Sequence, residues 1–134
     1  MGKEIEMILR LVLASALGAA IGFQREKSNK PAGLRTITLI SFGSALFTLV
    51  SIYGFGGGVV DPSRIAAGVV TGVGFLGAGA ILHGEHGFIV GLTTAATVWA
   101  AAALGVAVGA GLYLLSLVST AIILIILFLP HPIR

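Results

Sequence analysis

Two histidines and a glutamate, His83, Glu85 and His86, crowd into a short stretch where imidazole and carboxylate groups could close on one metal ion. Two imidazoles and a carboxylate suit zinc better than magnesium, which takes oxygen ligands and keeps much of its water. Solvated loop residues are the plainer reading. Asp61 and Arg64 flank Pro62 and Ser63, where a helix cap plus an ion pair accounts for both; the sharper reading makes Asp61 an external cation contact. Ser41, Ser44, Thr48 and Ser51 recur every three or four residues and so form one polar stripe along a helix. Such a stripe could line a path for ions or water, or each hydroxyl could bond a carbonyl or a neighbouring helix as glue.

The run Gly72-Val73-Gly74-Phe75-Leu76-Gly77 spells the dinucleotide fingerprint GxGxxG. That fingerprint works only as a turn between a strand and a helix, and here it lies within an apolar span. Gly68, Gly72, Gly74, Gly77 and Gly79 read instead as a smooth helix surface for close packing, within one chain or between chains. The chain contains no HExxH, GxSxG or P-loop, and Ser44 with His83 is only a generic pair, so no catalytic set is evident.

These residues must be positioned by membrane helices. Residues 36–60 and 87–133 contain no Asp, Glu, Lys or Arg, and mean hydropathy over the 134 residues is +1.08. About 20 apolar residues cross a bilayer, and the second run is long enough to do so twice. The expected fold is all-α, a single polytopic bundle with five spans near 5–24, 36–53, 62–82, 91–108 and 111–129. Asp61-Pro62 carries the signature of an N-cap followed by proline at the first helical position. Gly109-Ala110-Gly111 is the place to break the uncharged tail into a tight hairpin. Glu4 and Glu6 argue against a cleaved signal at the start.

Charge sets the expected orientation. Placing the first loop inside groups Arg25, Lys27, Lys30, Arg35 and Arg134, against Lys3, Arg10 and Arg64 outside, which predicts N-terminus out and C-terminus in the cytoplasm. The basic cluster at 25–35 is short and abuts apolar spans, so it reads as a topology signal rather than a nucleic-acid patch. Four spans, with a first segment on the membrane surface where Glu6 and Arg10 pair one turn apart, is the alternative. All five acids lie near a membrane boundary, which argues against a proton relay or pump.

Lys30-Pro31-Ala32-Gly33-Leu34-Arg35-Thr36 followed by Gly43-Ser44-Ala45-Leu46-Phe47-Thr48 resembles the MgtC/SapB family of bacterial membrane proteins. The resemblance continues in order through Asp61-Pro62-Ser63-Arg64-Ile65-Ala66-Ala67, residues 74–80 and Gly91-Leu92-Thr93-Thr94 to Ala101. It departs where Gln24 and Val90 replace an acid and an arginine, and members with a cytoplasmic C-terminal domain make this chain, stopping at Arg134, resemble a short form. The resemblance implies a five-span domain of the bacterial inner membrane, adaptation to low magnesium and survival inside host cells. It further implies regulation of a membrane partner, the F-type ATP synthase, by helix contacts rather than by catalysis, with no cofactor beyond a possible Mg2+. A homo-oligomer, a dimer first, would bury the glycine faces. Arg25, Glu26, Arg35, Asp61 and Arg64 are the expected functional residues, with ion transport along the hydroxyl stripe as the rival function.

Overall fold

The long apolar runs become helices because, away from water, a backbone must satisfy its own hydrogen bonds. The computed structural model describes residues 2–55, 61–83 and 89–129. Its helices are α1 (Gly2–Lys27), α2 (Leu34–Tyr53), α3 (Ser63–Ala80), α4 (Leu92–Gly109) and α5 (Tyr113–Leu127). The first four are long and apolar enough to cross a bilayer. The 15 residues of α5 rise about 22 Å, less than the roughly 30 Å of hydrocarbon.

The boundaries differ from the hydropathy reading for identifiable reasons. Helix α1 continues to Lys27 because its last turn carries Arg25 and Lys27, which complement the negative end of the helix; Asn29, at φ 57°, then turns the chain. Helix α3 begins at Ser63, one residue later than expected. It stops at Ala80, short of 82, since β1 (Leu82–His83) pairs antiparallel with β2 (Ile89–Val90). That ladder is the departure from an all-helical chain among the described residues. Helix α4 closes in a Schellman motif: the Leu112 amide donates to the Ala107 carbonyl and the Gly111 amide to Val108, with Gly111 at φ 86°. The hairpin therefore turns at the expected glycines, and α5 starts at Tyr113 rather than 111.

Three helices form the centre. Ile21, Ile37, Val98, Ala101, Ala102 and Leu104 from α1, α2 and α4 share one cluster, with Ala14, Ala45 and Val108 beside it. Close approach rests on glycines of α1 and α4. A methyl group on Gly18 would meet the Ser41 Cβ at 2.7 Å, one on Gly22 the Leu34 Cα at 2.8 Å, and one on Gly109 the Ala45 carbonyl at 2.8 Å. Gly105 presses on the Ser41 carbonyl. Helices α3 and α5 are peripheral: α3 buries only Val69, Val73 and Gly77, and α5 only Ser116 and Thr120. Their outward faces carry Phe75, Leu76, Leu114 and Ile125, more than half exposed. An apolar shell of this kind suits lipid and not water.

Of the glycines expected to pack, Gly77 alone meets a neighbouring helix, at Ala95, 3.7 Å away. A side chain added at Gly68, Gly72, Gly74 or Gly79 would meet nothing within 4 Å. Gly105→Val, driven into the Ser41 carbonyl, should lower stability by about 1–3 kcal/mol. Gly74→Ala should stay within about 0.5 kcal/mol of the parent. Thermal unfolding in detergent micelles compares the two.

Candidate functional site

The hydroxyl stripe of α2 faces inward. Ser41, Ser44, Thr48 and Ser51 are all buried, between α1, α4 and the start of α3. The Ser41 hydroxyl donates 2.8 Å to the Ala14 carbonyl of α1, crossing between helices. Thr48 donates 2.8 Å to the Ser44 carbonyl one turn back, and Ser51 donates to the Pro62 carbonyl, tying the head of α3 to the end of α2. Ser44 packs against Gly105. On α4 and α5, Thr97, Ser116 and Thr120 likewise donate to carbonyls four residues back. Hydroxyls satisfied in this way add no free polar surface to the interior.

One end of the bundle gathers the close of α1 and the starts of α2 and α4. Arg25 is 2% exposed; its Nη2 donates 2.7 Å to the Pro31 carbonyl and also to the Thr94 hydroxyl in the first turn of α4. The buried Nε has no partner, and among the described residues no carboxylate lies within 4 Å of this guanidinium. Glu26 turns the other way, and its Oε1 accepts the Leu34 amide at 2.9 Å, capping α2 across the loop. A side chain on Gly33 would meet that carboxylate and push it from its place. Two adjacent residues thus fold the 28–33 loop, one holding Pro31 and the other Leu34. Arg35, at the start of α2, is exposed.

The opposite end is organised by Arg10. Its guanidinium donates to Glu6 Oε2 at 2.7 Å, to the Tyr113 hydroxyl at 2.9 Å and to the Gly109 carbonyl at 2.8 Å. Tyr113 in turn donates to Glu6 at 2.9 Å. This joins α1 to the end of α4 and the head of α5, and the Tyr53 ring lies 6.0 Å from the guanidinium carbon. Pairing of Glu6 with Arg10 is visible in their i, i+4 spacing, whereas Tyr113 is 103 residues from Arg10 and carries no local signal.

Asp61 lies at this same end but apart from the Arg10 group. Its Oδ1 accepts the Ser63 amide at 3.0 Å and the Ser63 hydroxyl at 2.7 Å. Those two donors hold the Asp61 carboxyl below the usual aspartate range. The expected Asp61–Arg64 ion pair does not form: the contact between them is the Arg64 amide donating to the Asp61 carbonyl at 3.3 Å. Arg64 is exposed, and the Asp61 carboxylate is engaged by Ser63 instead.

For a metal, the described residues gather no group of three His, Asp or Glu side chains. Glu6 is engaged by Arg10, Glu26 by Leu34 and Asp61 by Ser63, so these oxygens are not assembled into a hard-cation cage. Of the loop candidates, His83 has only its backbone placed, in β1, and Glu85 and His86 lie outside the described residues. The candidates therefore divide between Arg25, Glu26 and Arg35 at one end and Asp61 and Arg64 at the other, with the stripe between.

Residues 11–134 match the model of the MgtC family. A YhiD protein of Escherichia coli (strain K12), described provisionally as a magnesium transporter, is 50% identical over 94% of this chain and 61% of its own length. Protein SapB of Bacillus subtilis (strain 168) is 43% identical over 96% of the chain and 59% of its own length. Protein MgtC of Brucella abortus (strain 2308) is 46% identical over 89% and 49%. The chain thus spans roughly half to three-fifths of the length of these relatives. No solved structure matches it.

The cap by Glu26 makes a testable distinction between charge and geometry. Glu26→Ala should cost about 1 kcal/mol, the usual loss of a helix cap, while Glu26→Gln, which keeps an accepting oxygen, should lose less than half of that. Unfolding in micelles reads both.

Proposed function

The chain belongs to the MgtC family, and from that premise we propose that it acts without catalysis, in magnesium or ATP homeostasis, by contacting a partner inside the bacterial inner membrane. The observation that carries this reading is the fate of the hydroxyl stripe. A conducting path needs polar groups turned toward water, whereas Ser41, Thr48 and Ser51 donate to carbonyls within the bundle. What the bundle offers outward is the lipid-facing surface of α3 and α5 and charged groups at its ends. Helices of that kind are suited to binding other helices. The partner favoured by the family resemblance is a membrane subunit of the F-type ATP synthase, and a homodimer is a second way to cover the same faces.

The orientation that fits is N-terminus out and C-terminus in. It places Arg25, Glu26 and Arg35 on the cytoplasmic side and Asp61 and Arg64 on the outer side. Arg25 and Glu26 shape the inner surface by folding the 28–33 loop, and Arg35 beside them offers a charge to a partner. Transport of Mg2+ or another ion is the second reading, supported by the description of the E. coli relative.

The test is ATP-driven proton pumping in inverted membrane vesicles from cells with and without the protein, at matched ATP synthase content. Reduced pumping with unchanged passive leak is the expected result. Unchanged pumping together with magnesium flux into liposomes holding the purified chain would replace the regulator with a transporter.

A further inference from the structure

Helices α2 and α3 are joined where Ser51 meets Pro62, yet below that point a crevice of about 720 Å³ separates them. Glycines keep it open: Gly43 on one wall and Gly68 and Gly72 on the other each leave room where a side chain would meet nothing within 4 Å. Phe47 and Leu76 complete the apolar lining, and Arg64 stands at one mouth. We propose that this crevice seats one acyl chain of an anionic phospholipid whose phosphate is held by Arg64.

The medium around the crevice chooses its occupant: the cleft is apolar, opens on the outer face of the bundle, and runs about 18 Å along α3 from Arg64 to Leu76, within the reach of a single hydrocarbon chain. A cleft facing lipid forfeits dispersion contacts along its walls unless something fills it, and lipid is the solvent there.

Charge selects the headgroup. Arg64 is exposed and, among the described residues, has no carboxylate within 4 Å; Asp61 beside it is engaged by Ser63. A guanidinium binds a phosphate through two parallel bonds. A zwitterionic headgroup brings its own cation to this site, so a net anionic lipid such as phosphatidylglycerol is preferred.

Native mass spectrometry of the full chain, equilibrated with equimolar phosphatidylglycerol and phosphatidylcholine, tests this. The protein should retain phosphatidylglycerol about fivefold over phosphatidylcholine, the worth of one basic residue near a membrane surface. Arg64→Gln should bring that ratio close to one, and Arg64→Lys should keep part of it. Gly72→Leu, which fills the crevice, should reduce retention of both lipids, as should Gly43→Leu from the opposite wall. Equal retention of the two lipids by the parent, or a preference untouched by Arg64→Gln, would overturn the proposal. So would retention unchanged in both glycine variants, or a dimer of the parent that either one dissociates, which would put a second copy in the crevice.

Discussion

A polar group held away from water costs free energy unless it finds a partner inside the protein. Among the described residues Arg25 Nε and the Thr38 hydroxyl are left without one, but along one seam the bundle meets the requirement. Helix α2 carries its hydroxyls to the centre, and α1 and α4 bring glycines against them. Gly18 and Gly105 lie on Ser41, and Gly109 on Thr48 and the Ala45 carbonyl, so the backbones come close enough for the Ser41 hydroxyl to reach the Ala14 carbonyl. A larger residue on α1 or α4 would part the helices and strand that hydroxyl. The central triad is thereby settled, and the peripheral helices are free to present apolar faces to the lipid.

The two ends follow from the same requirement under different conditions. At the Arg10 end, a carboxylate, a phenol and the last carbonyl of α4 surround the guanidinium, and the positive charge sits where the helix dipole is negative. At the Arg25 end the guanidinium meets only neutral oxygens, between the negative end of α1 that carries it and the positive start of α4. Unlike that of Arg10, the Arg25 guanidinium has no carboxylate within 4 Å among the described residues. Its neighbour Glu26 spends its carboxylate on α2, so the pair shares one loop without neutralising each other.

The helical architecture was legible in the sequence because uncharged runs of such length have one structural outcome in a membrane. So was the α4–α5 hairpin, for glycine at 111 is what a left-handed turn requires. The pairing of Glu6 with Arg10 could be read from one helical turn, but not the part of Tyr113, which depends on a contact between the first and last helices. Which α3 glycines pack within the chain was not legible, because small residues at helical spacing look alike whether another helix, a second chain or a crevice meets them; Gly77 alone of the five meets a helix of this chain. Gly18, Gly22, Gly105 and Gly109, fewer and less regular, carry the tight contacts because their faces meet α2. Charge spacing misled at Asp61 and Arg64, since Ser63 sits nearer to the carboxylate and captures it.

The chain has no native cysteine, so the central claim, that the hydroxyl seam is dry helix contact and not an aqueous path, can be read by thiol chemistry. Ser41→Cys and Thr48→Cys would be exposed in native vesicles to a water-soluble maleimide, with Lys27→Cys at the exposed end of α1 as the reactive control. The account predicts labelling at 27, and at 41 and 48 only after denaturation. Labelling of 41 and 48 in the folded protein at a rate comparable to 27 would contradict it, for it would put water where the structure places the contact between α1, α2 and α4.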